Sequence, residues 1–587
     1  MLRTVLRSWL PFLSWPRPSA SLLRGEFLAG MTVGLMLVPQ GVAYAALAGM
    51  PLITGIYASL LPALVAVLFS SSTRLGVGPT ALTSLLIGAS LTGLAEPGSA
   101  QWVQMAVWIA LLSGALQCVM GLARFGWVVN IVTSPVLNGF TQAAALLILA
   151  SQLGALTGLR SNWGALLATP SLGLFDLAAL AFGVGSVGAL LLAKKLKPTF
   201  PAAIAVVGAT GAISWATGYA DAGGAVVGHL PQGLPTLHWP GWLPWSDLGS
   251  LLMPVLVVTL VSFLETASSA KVESQRSSER WNENQDLIGQ GLSKISSGLC
   301  GSFATSASFS RSAINLYAGA QTGWATVFSI GVVLVVLLWL TPALYYVPTS
   351  ALAAIVVTAV FSLIKPSSIT RLWRVSRVES LIAIVTFGLT LATAPRMYWG
   401  VLAGLLMNLC HFLYQRLHPR IIEVGLHPDG SLRDRHLWGL EPLAPHVLAL
   451  RMDAELDFAS ASALEQRVAQ DLGAHPDVRH LCLLAQPINR IDVTGLEVFA
   501  QLHALMLARG GCLHVSGLKL PVETALRKAG VLPAAAGLVT YRTATEALRA
   551  LQHLPSRRYP RCPRPDCVTQ GVPAATLEPT LEATICV

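Results

Sequence analysis

The chain has 587 residues, of which 53% are hydrophobic and 11% charged, whereas ordinary soluble domains carry about 25% charged residues. That composition excludes a purely soluble fold and implies a polytopic membrane protein. The net charge of +10 alternates by loop, so it reports membrane topology and gives no reason to expect nucleic acid as a partner.

The first element, 1–25, contains no acid and carries Arg3, Arg7, Arg17 and Arg24 among serines. A transit peptide shares that composition. Here Pro11 and Pro16 break the short apolar stretch and no small-residue cleavage site follows. The segment is expected to lie on the inner membrane surface.

From about residue 26 to 415, apolar runs of about 17–25 residues recur, the length that crosses a bilayer. The clearest are 27–48, 102–121, 174–193, 251–270, 325–344 and 401–417. Others are short or interrupted by Gly and Pro, giving roughly 12 to 14 spans. Basic residues mark alternate loops: Arg74, Arg124, Lys194 to Lys197, Lys271 to Arg280, Lys365 to Arg377, then Arg416 and Arg420. The intervening loops hold little beyond Arg160 and Arg396. By the positive-inside rule both ends of the membrane domain are cytoplasmic and the number of spans is even.

Three membrane segments combine polar residues with helix breakers. In Leu37-Val-Pro39-Gln40-Gly41-Val-Ala-Tyr44, the proline removes a backbone donor and is expected to disrupt the span near its middle. A broken helix at membrane depth is tolerated where it lines a cavity, although a packing kink would read the same way. Gly76-Val-Gly78-Pro79-Thr80-Ala-Leu-Thr83-Ser84 looks like the start of a half-helix, with Pro79 suited to its first position. Thr305 to Asn315, which contains Ser308-Phe309-Ser310-Arg311, opens a second short segment in the other half of the chain. Such a pair of broken helices points to a binding site at the membrane midplane of an inverted-repeat transporter, with helix N-termini aimed at an anion. Small-residue helix contacts are the plainer explanation for either segment alone.

Arg311 costs roughly 2.5–3.5 kcal/mol on insertion scales and so calls for a cavity, a partner or a transported ion. Glu265, in Val261-Ser-Phe-Leu-Glu265, is the other ionisable outlier. A carboxylate held out of water can exchange a proton, which makes Glu265 the candidate coupling residue. A structural salt bridge to Arg311 or Lys271 is the alternative.

Hydropathy falls after Arg420. Residues 446–452, 478–485 and 512–515 read as strands, and 460–472, 494–508 and 521–529 as helices, so 441–553 is a small cytoplasmic α/β domain joined by a linker at 419–440. Residues 554–587, rich in Pro, Arg and Thr, are expected to be a disordered tail. The eight cysteines are scattered singly. Cys562 and Cys567 lack a second pair or a nearby histidine, so neither a metal site nor a disulfide framework is expected.

Several of these stretches resemble the sulfate permease family, which is solute carrier family 26 in animals: Pro39 to Tyr44 with Gly55-Ile-Tyr57, Gly78-Pro79, Asn284-Gln-Asp286-Leu-Ile-Gly289-Gln-Gly291-Leu and Ser308 to Asn315. Asn489-Arg-Ile-Asp492-Val493-Thr494-Gly495 resembles the strand-to-helix turn of the family's STAS domain. The resemblance covers about 20–553. It implies an α-helical polytopic membrane protein of two inverted seven-segment repeats, divided into core and gate domains, with a cytoplasmic α/β STAS domain and commonly a homodimer. It also implies an anion held between the third and tenth segments at Pro79, Thr80, Ser308, Phe309, Ser310 and Arg311, lined by Gln40 and Tyr44, with Glu265 coupling a cation. Related anti-sigma-factor antagonists carry a phosphorylatable serine where this chain has Val493, so a phosphorylation switch at that turn is not expected.

These expectations describe a secondary transporter, not an enzyme, with no cofactor. Its partners would be a small inorganic anion, most readily sulfate, a proton and the bilayer of the inner cell membrane, and a cytoplasmic protein for the STAS domain. Bicarbonate and C4-dicarboxylates are rival substrates. An uncoupled anion channel or exchanger, a voltage-responsive motor and a membrane-anchored signalling scaffold are rival classes.

Overall fold

The computed structural model describes residues 10–552 except 131–132, 160–175, 197–200, 238, 278–280, 362–363, 395, 445 and 533–535. The expectations placed on Arg3, Arg7, Arg160, Lys197, Arg280, Cys562, Cys567 and the tail lie outside the described residues. The chain divides into two compact units, 1–408 and 409–587.

In the first unit, α1 (Ala20–Leu47) begins at Ser19, whose side chain accepts from the amide of Leu22. A short pair, α2 (Leu52–Tyr57) and α3 (Leu61–Phe69), makes the second segment. Strand β1 (Val77–Gly78) leads into α4 (Ala81–Leu91), followed by α5 (Ala100–Leu122), α6 (Ser134–Thr157), α7 (Leu177–Leu196) and α8 (Ala202–Ala216). The second half repeats the plan: α9 (Trp245–Ser277), α10 (Glu283–Leu299), β2 (Ser306–Ala307), α11 (Phe309–Tyr317) and α12 (Trp324–Val335), which continues as a π turn and a 3-10 turn to Leu344. It ends with α13 (Thr349–Phe361), the connecting α14 (Pro366–Val375), α15 (Arg377–Ala392) and α16 (Tyr398–Leu417).

Counting α2–α3 as one and leaving out α14, these are fourteen segments in two inverted sets of seven. Among the described residues, eight stretches are by length and composition long and apolar enough to cross a membrane. The other six include α4, α8, α10, α11 and α15, whose 11, 15, 17, 9 and 16 residues fall short of the roughly 20 of a full apolar crossing.

The helices sort into a core, α1–α5 with α9–α12, and a gate, α6–α8 with α13, α15 and α16. The inverted repeat shows in the packing: α12 lies along α1, and its counterpart pair is α9 along α5. Small residues let backbones meet. A Cβ on Gly30 would lie 2.3 Å from the Ala325 carbonyl oxygen, and one on Gly291 2.6 Å from that of Gly114, across α5 and α10.

The break expected at Pro39 is absent, and α1 runs unbroken from Ala20 to Leu47. Proline removes one hydrogen bond, but Leu37 to Ala45 are buried on all sides. Gly41 also meets Gly55 of α2 so closely that a Cβ would sit 2.7 Å from its oxygen. Tertiary packing keeps the helix straight enough to continue.

Two buried carboxylates anchor the loops beside the short helices. Asp286 on α10 accepts from the amides of Ser71 (2.7 Å) and Ser72 (3.0 Å), from both their hydroxyls (2.9 and 2.7 Å) and from the Trp281 indole (2.8 Å), fixing the approach to β1. Glu26 on α1 accepts from the amides of Gln321, Thr322 and Ala325 and from the Thr322 hydroxyl, capping the start of α12.

The second unit is a six-stranded sheet in the order β4-β3-β5-β6-β7-β8. Its elements are β3 (Ile421–Leu426), β4 (Leu432–Asp434), α17 (Arg435–Trp438), β5 (Val447–Met452), α18 (Ala461–Ala474), β6 (His480–Leu484), α19 (Val493–Ala508), β7 (Cys512–Ser516), α20 (Leu520–Lys528), β8 (Leu538–Tyr541) and α21 (Ala544–Gln552). β5 to β8 are parallel, while β3 and β4 add antiparallel strands at one edge. The stretch 419–440, expected as a linker, thus contains two strands of this sheet. Asp492 opens α19, accepting from the amides of Gly495 (2.9 Å) and Phe458 (2.9 Å). Gly495 is required there because a Cβ would lie 2.2 Å from the Leu456 oxygen.

Candidate anion site between two half-helices

β1 and β2 pair antiparallel, Val77 opposite Ala307 and Gly78 opposite Ser306. The amide of Ser308 donates to the Gly76 oxygen (2.9 Å), and the Gly76 amide donates to the Ser312 hydroxyl (3.0 Å). This pairing sets the N-terminal turns of α4 and α11 beside one another. Thr80 caps α4 by accepting from the Thr83 amide (3.3 Å), and Ser308 caps α11 with a longer contact to the Arg311 amide (3.5 Å). The other first-turn amides have no intrahelical partner and, with the helix dipole, favour negative charge.

Glu265 on α9 meets the start of α4. The hydroxyls of Thr80 and Thr83 donate to its carboxylate at 3.1 and 3.2 Å. No direct ion pair joins it to Arg311 or Lys271 among the described residues. Arg311 is 1% exposed. Its Nη1 donates to the Pro79 oxygen at 2.9 Å, with a longer contact from Nη2 to that of Gly76 (3.5 Å), and its Nε is buried with no partner. The guanidinium therefore staples the two half-helices together. Its β-carbon lies where a side chain on Gly76 would be, 2.7 Å away.

Of the other expected residues, Tyr44 is buried within electrostatic reach of Arg311 and Glu265. Gln40 is buried with its Oε1 unpaired. Ser310 and Phe309 are exposed at the mouth of α11, and the Ser308 and Ser310 hydroxyls share a hydrogen bond (3.2 Å). The structure thus gathers Pro79, Thr80, Glu265 and Arg311 by direct contact, with Tyr44 nearby, while Gln40 and Phe309 touch none of them by hydrogen bond. Sequence reasoning placed Thr83 and Ser312 within the two half-helix starts without giving either a role, had Asp286 only as part of a family-like stretch, and missed Glu26 and Lys294. The signal for Lys294 was present, a lone lysine inside the glycine-rich α10.

The one cluster able to hold a metal among the described residues is in the second unit. Ligand atoms of His480, Cys512 and His514 lie within 4.8 Å of one another. The histidine nitrogens that face each other already share a hydrogen bond, His480 Nδ1 to His514 Nε2 (3.1 Å), and His514 Nδ1 bonds the Tyr541 hydroxyl (3.0 Å). Burial, and then mutual repulsion of charge with a neighbouring imidazole, hold His480 down to about 4 and His514 to about 3.

Fourteen segments in inverted halves, with two half-helices capped by hydroxyls and set end to end beside a buried carboxylate and guanidinium, define an inverted-repeat membrane carrier with a site suited to an anion. The sequence model of the sulfate permease family matches residues 23–386, and that of the STAS domain 442–547. The chain belongs to the sulfate permease family. It is 30% identical to the chloroplastic sulfate transporter 4.1 of Arabidopsis thaliana, covering 86% of this chain and 77% of that one. It is also 30% identical to a probable sulfate transporter of Mycobacterium tuberculosis, covering 87% and 92%. Among solved structures, murine solute carrier 26 family member A9, an anion transporter in the inward-facing state, superposes with a TM-score of 0.83 at 21% identity, over 94% of this chain and 95% of that chain.

Proposed function

We propose that the chain imports a small oxyanion, sulfate foremost, together with protons, through an elevator-like movement of core against gate. It would act as a homodimer in the cell membrane with both termini cytoplasmic and the STAS domain available to a protein partner. The relatives' sulfate transport motivates the substrate. The position of Glu265 carries the mechanism.

The Glu265 carboxylate takes up the hydroxyls of Thr80 and Thr83, donors that an oxyanion at the α4 N-terminus would use. An ionised Glu265 therefore competes with the substrate twice, for the same donors and through like charge. Protonation relieves both, so proton and anion load together. The free amides of α4 and α11, the Ser310 hydroxyl and the unpartnered Nε of Arg311 supply further donors.

Uptake of labelled sulfate into proteoliposomes tests this. An inward proton gradient is expected to stimulate the wild type, and Glu265→Gln to abolish the response to pH. Wild-type uptake indifferent to the gradient would remove proton coupling; a full pH response in the variant would remove Glu265 from it.

A further inference from the structure

Behind the anion site lies a second buried basic side chain. Lys294, on α10, has no exposed surface. Its Nζ donates to Gln117 Oε1 of α5 (2.6 Å) and to Ser262 Oγ of α9 (2.8 Å), both neutral. Gln117 is itself turned by donating to the Thr259 oxygen and to Ser262 Oγ (both 3.1 Å), so its carbonyl faces the ammonium. An ammonium withdrawn from water without a counter-charge is costly, and among the described residues no carboxylate touches this one.

Among the described residues, Glu265 from α9 and the Cys118 thiol from α5 lie within electrostatic reach of Lys294. Glu265 lies three residues beyond Ser262, one helical turn along the same face, and is itself within reach of Arg311 and near Tyr44. The Ser306 hydroxyl of β2 donates to the Ser262 carbonyl (3.2 Å), tying that turn to the strand below α11.

We propose that Lys294 is the counter-charge of Glu265, a positioning residue held behind the anion site through Ser262 that makes anion loading and protonation of Glu265 charge-balanced. This rests on the proton-coupled reading above. With Glu265 ionised, Lys294 and Arg311 leave one net positive charge. Adding one proton to the carboxylate and one dianion to the site brings the group to neutrality. The lysine therefore favours a doubly charged oxyanion and sets the pH at which Glu265 releases its proton.

The experiment uses the full chain as wild type, Lys294→Met, Glu265→Gln and the double variant. It measures sulfate uptake against pH in proteoliposomes and thermal unfolding in detergent. Without the ammonium the ionised carboxylate loses a favourable neighbour, so proton binding extends to higher pH. The pH of half-maximal uptake is expected to rise by about one unit in Lys294→Met, a tenfold change in proton concentration, with no further effect in the Glu265→Gln background. In the thermal cycle each single variant leaves one buried charge uncompensated, so the double variant should melt above the sum of the two losses. An unmoved midpoint together with additive melting shifts overturns the proposal. Should wild-type uptake show no pH dependence, the proton-coupled reading fails by itself, and the thermal cycle alone decides, non-additivity supporting the Lys294 pairing and additivity refuting it. If Lys294→Met does not fold, recovery of folding in the double variant supports the pairing and failure of both overturns it.

Discussion

Arg311 shows how one side chain can serve two ends at membrane depth. Its insertion cost is offset by the Pro79 carbonyl and by longer contact with that of Gly76, which also accepts from the Ser308 amide. The planar fork spans both half-helices at once, and a lysine has no such geometry. Arg311→Lys is expected to keep the charge but lose the staple, weakening sulfate binding at least tenfold, about 1.4 kcal/mol, in equilibrium binding to purified protein. Unchanged affinity would mean that a point charge suffices there.

Asp286 makes a comparable bargain without facing the site. Five donors converge on it, so Asp286→Asn places an amide NH₂ against the Ser71 and Ser72 amides or the Trp281 indole, which can only donate. A loss of about 2–4 kcal/mol is expected, seen as a lower melting temperature in detergent and weaker anion binding, since the loop it holds leads into β1. A melting temperature equal to the wild type's would deny the loop that anchor.

At the scale of elements, the two-residue strands matter beyond their length. They set α4 and α11 end to end, where neither helix is long enough to be stable alone. In the second unit, strand periodicity puts His480, Cys512 and His514 on one face of β6 and β7, with Tyr541 of β8 completing the hydrogen-bonded row. Both imidazoles are held neutral, at about 4 and about 3, below the unfolded value near 6.5. Between those values the unfolded chain binds more protons than the folded one. The stability this row contributes is thus fully present above about pH 6.5 and is lost as pH falls toward 4 and then 3. Hydrogen exchange of the intact protein should show β6–β8 peptides losing protection between pH 6.5 and 4, and His514→Phe flattening that dependence. Equal acid sensitivity in the variant would assign the loss to other groups.

For the molecule as a whole, the core helices meet through glycines at backbone distance, which suits a body that moves as one piece. The proposed transport of a dianion predicts a charge-sensitive competition series. Sulfate uptake should be inhibited by other tetrahedral dianions well before nitrate or chloride, with bicarbonate and C4-dicarboxylates as the informative rivals. Equal inhibition by monoanions would move the substrate away from sulfate.

The membrane character, the alternating basic loops, the α/β unit and the two hydroxyl-rich broken segments with Arg311 and Glu265 were legible in the chain because composition and local breakers act over a few residues. Pro39 misled for the same reason: locally it is a helix breaker, while the surrounding helices keep α1 continuous. β3 was hidden because it draws its stability from β5, well along the chain, and β4, the edge strand, pairs only with β3. Only the tertiary structure turned Arg311 toward carbonyl oxygens, brought Thr83 to Glu265 and set Lys294 behind them. Each depends on contacts between residues some thirty to more than two hundred positions apart, and a buried charge has no meaning in sequence until its surroundings are known.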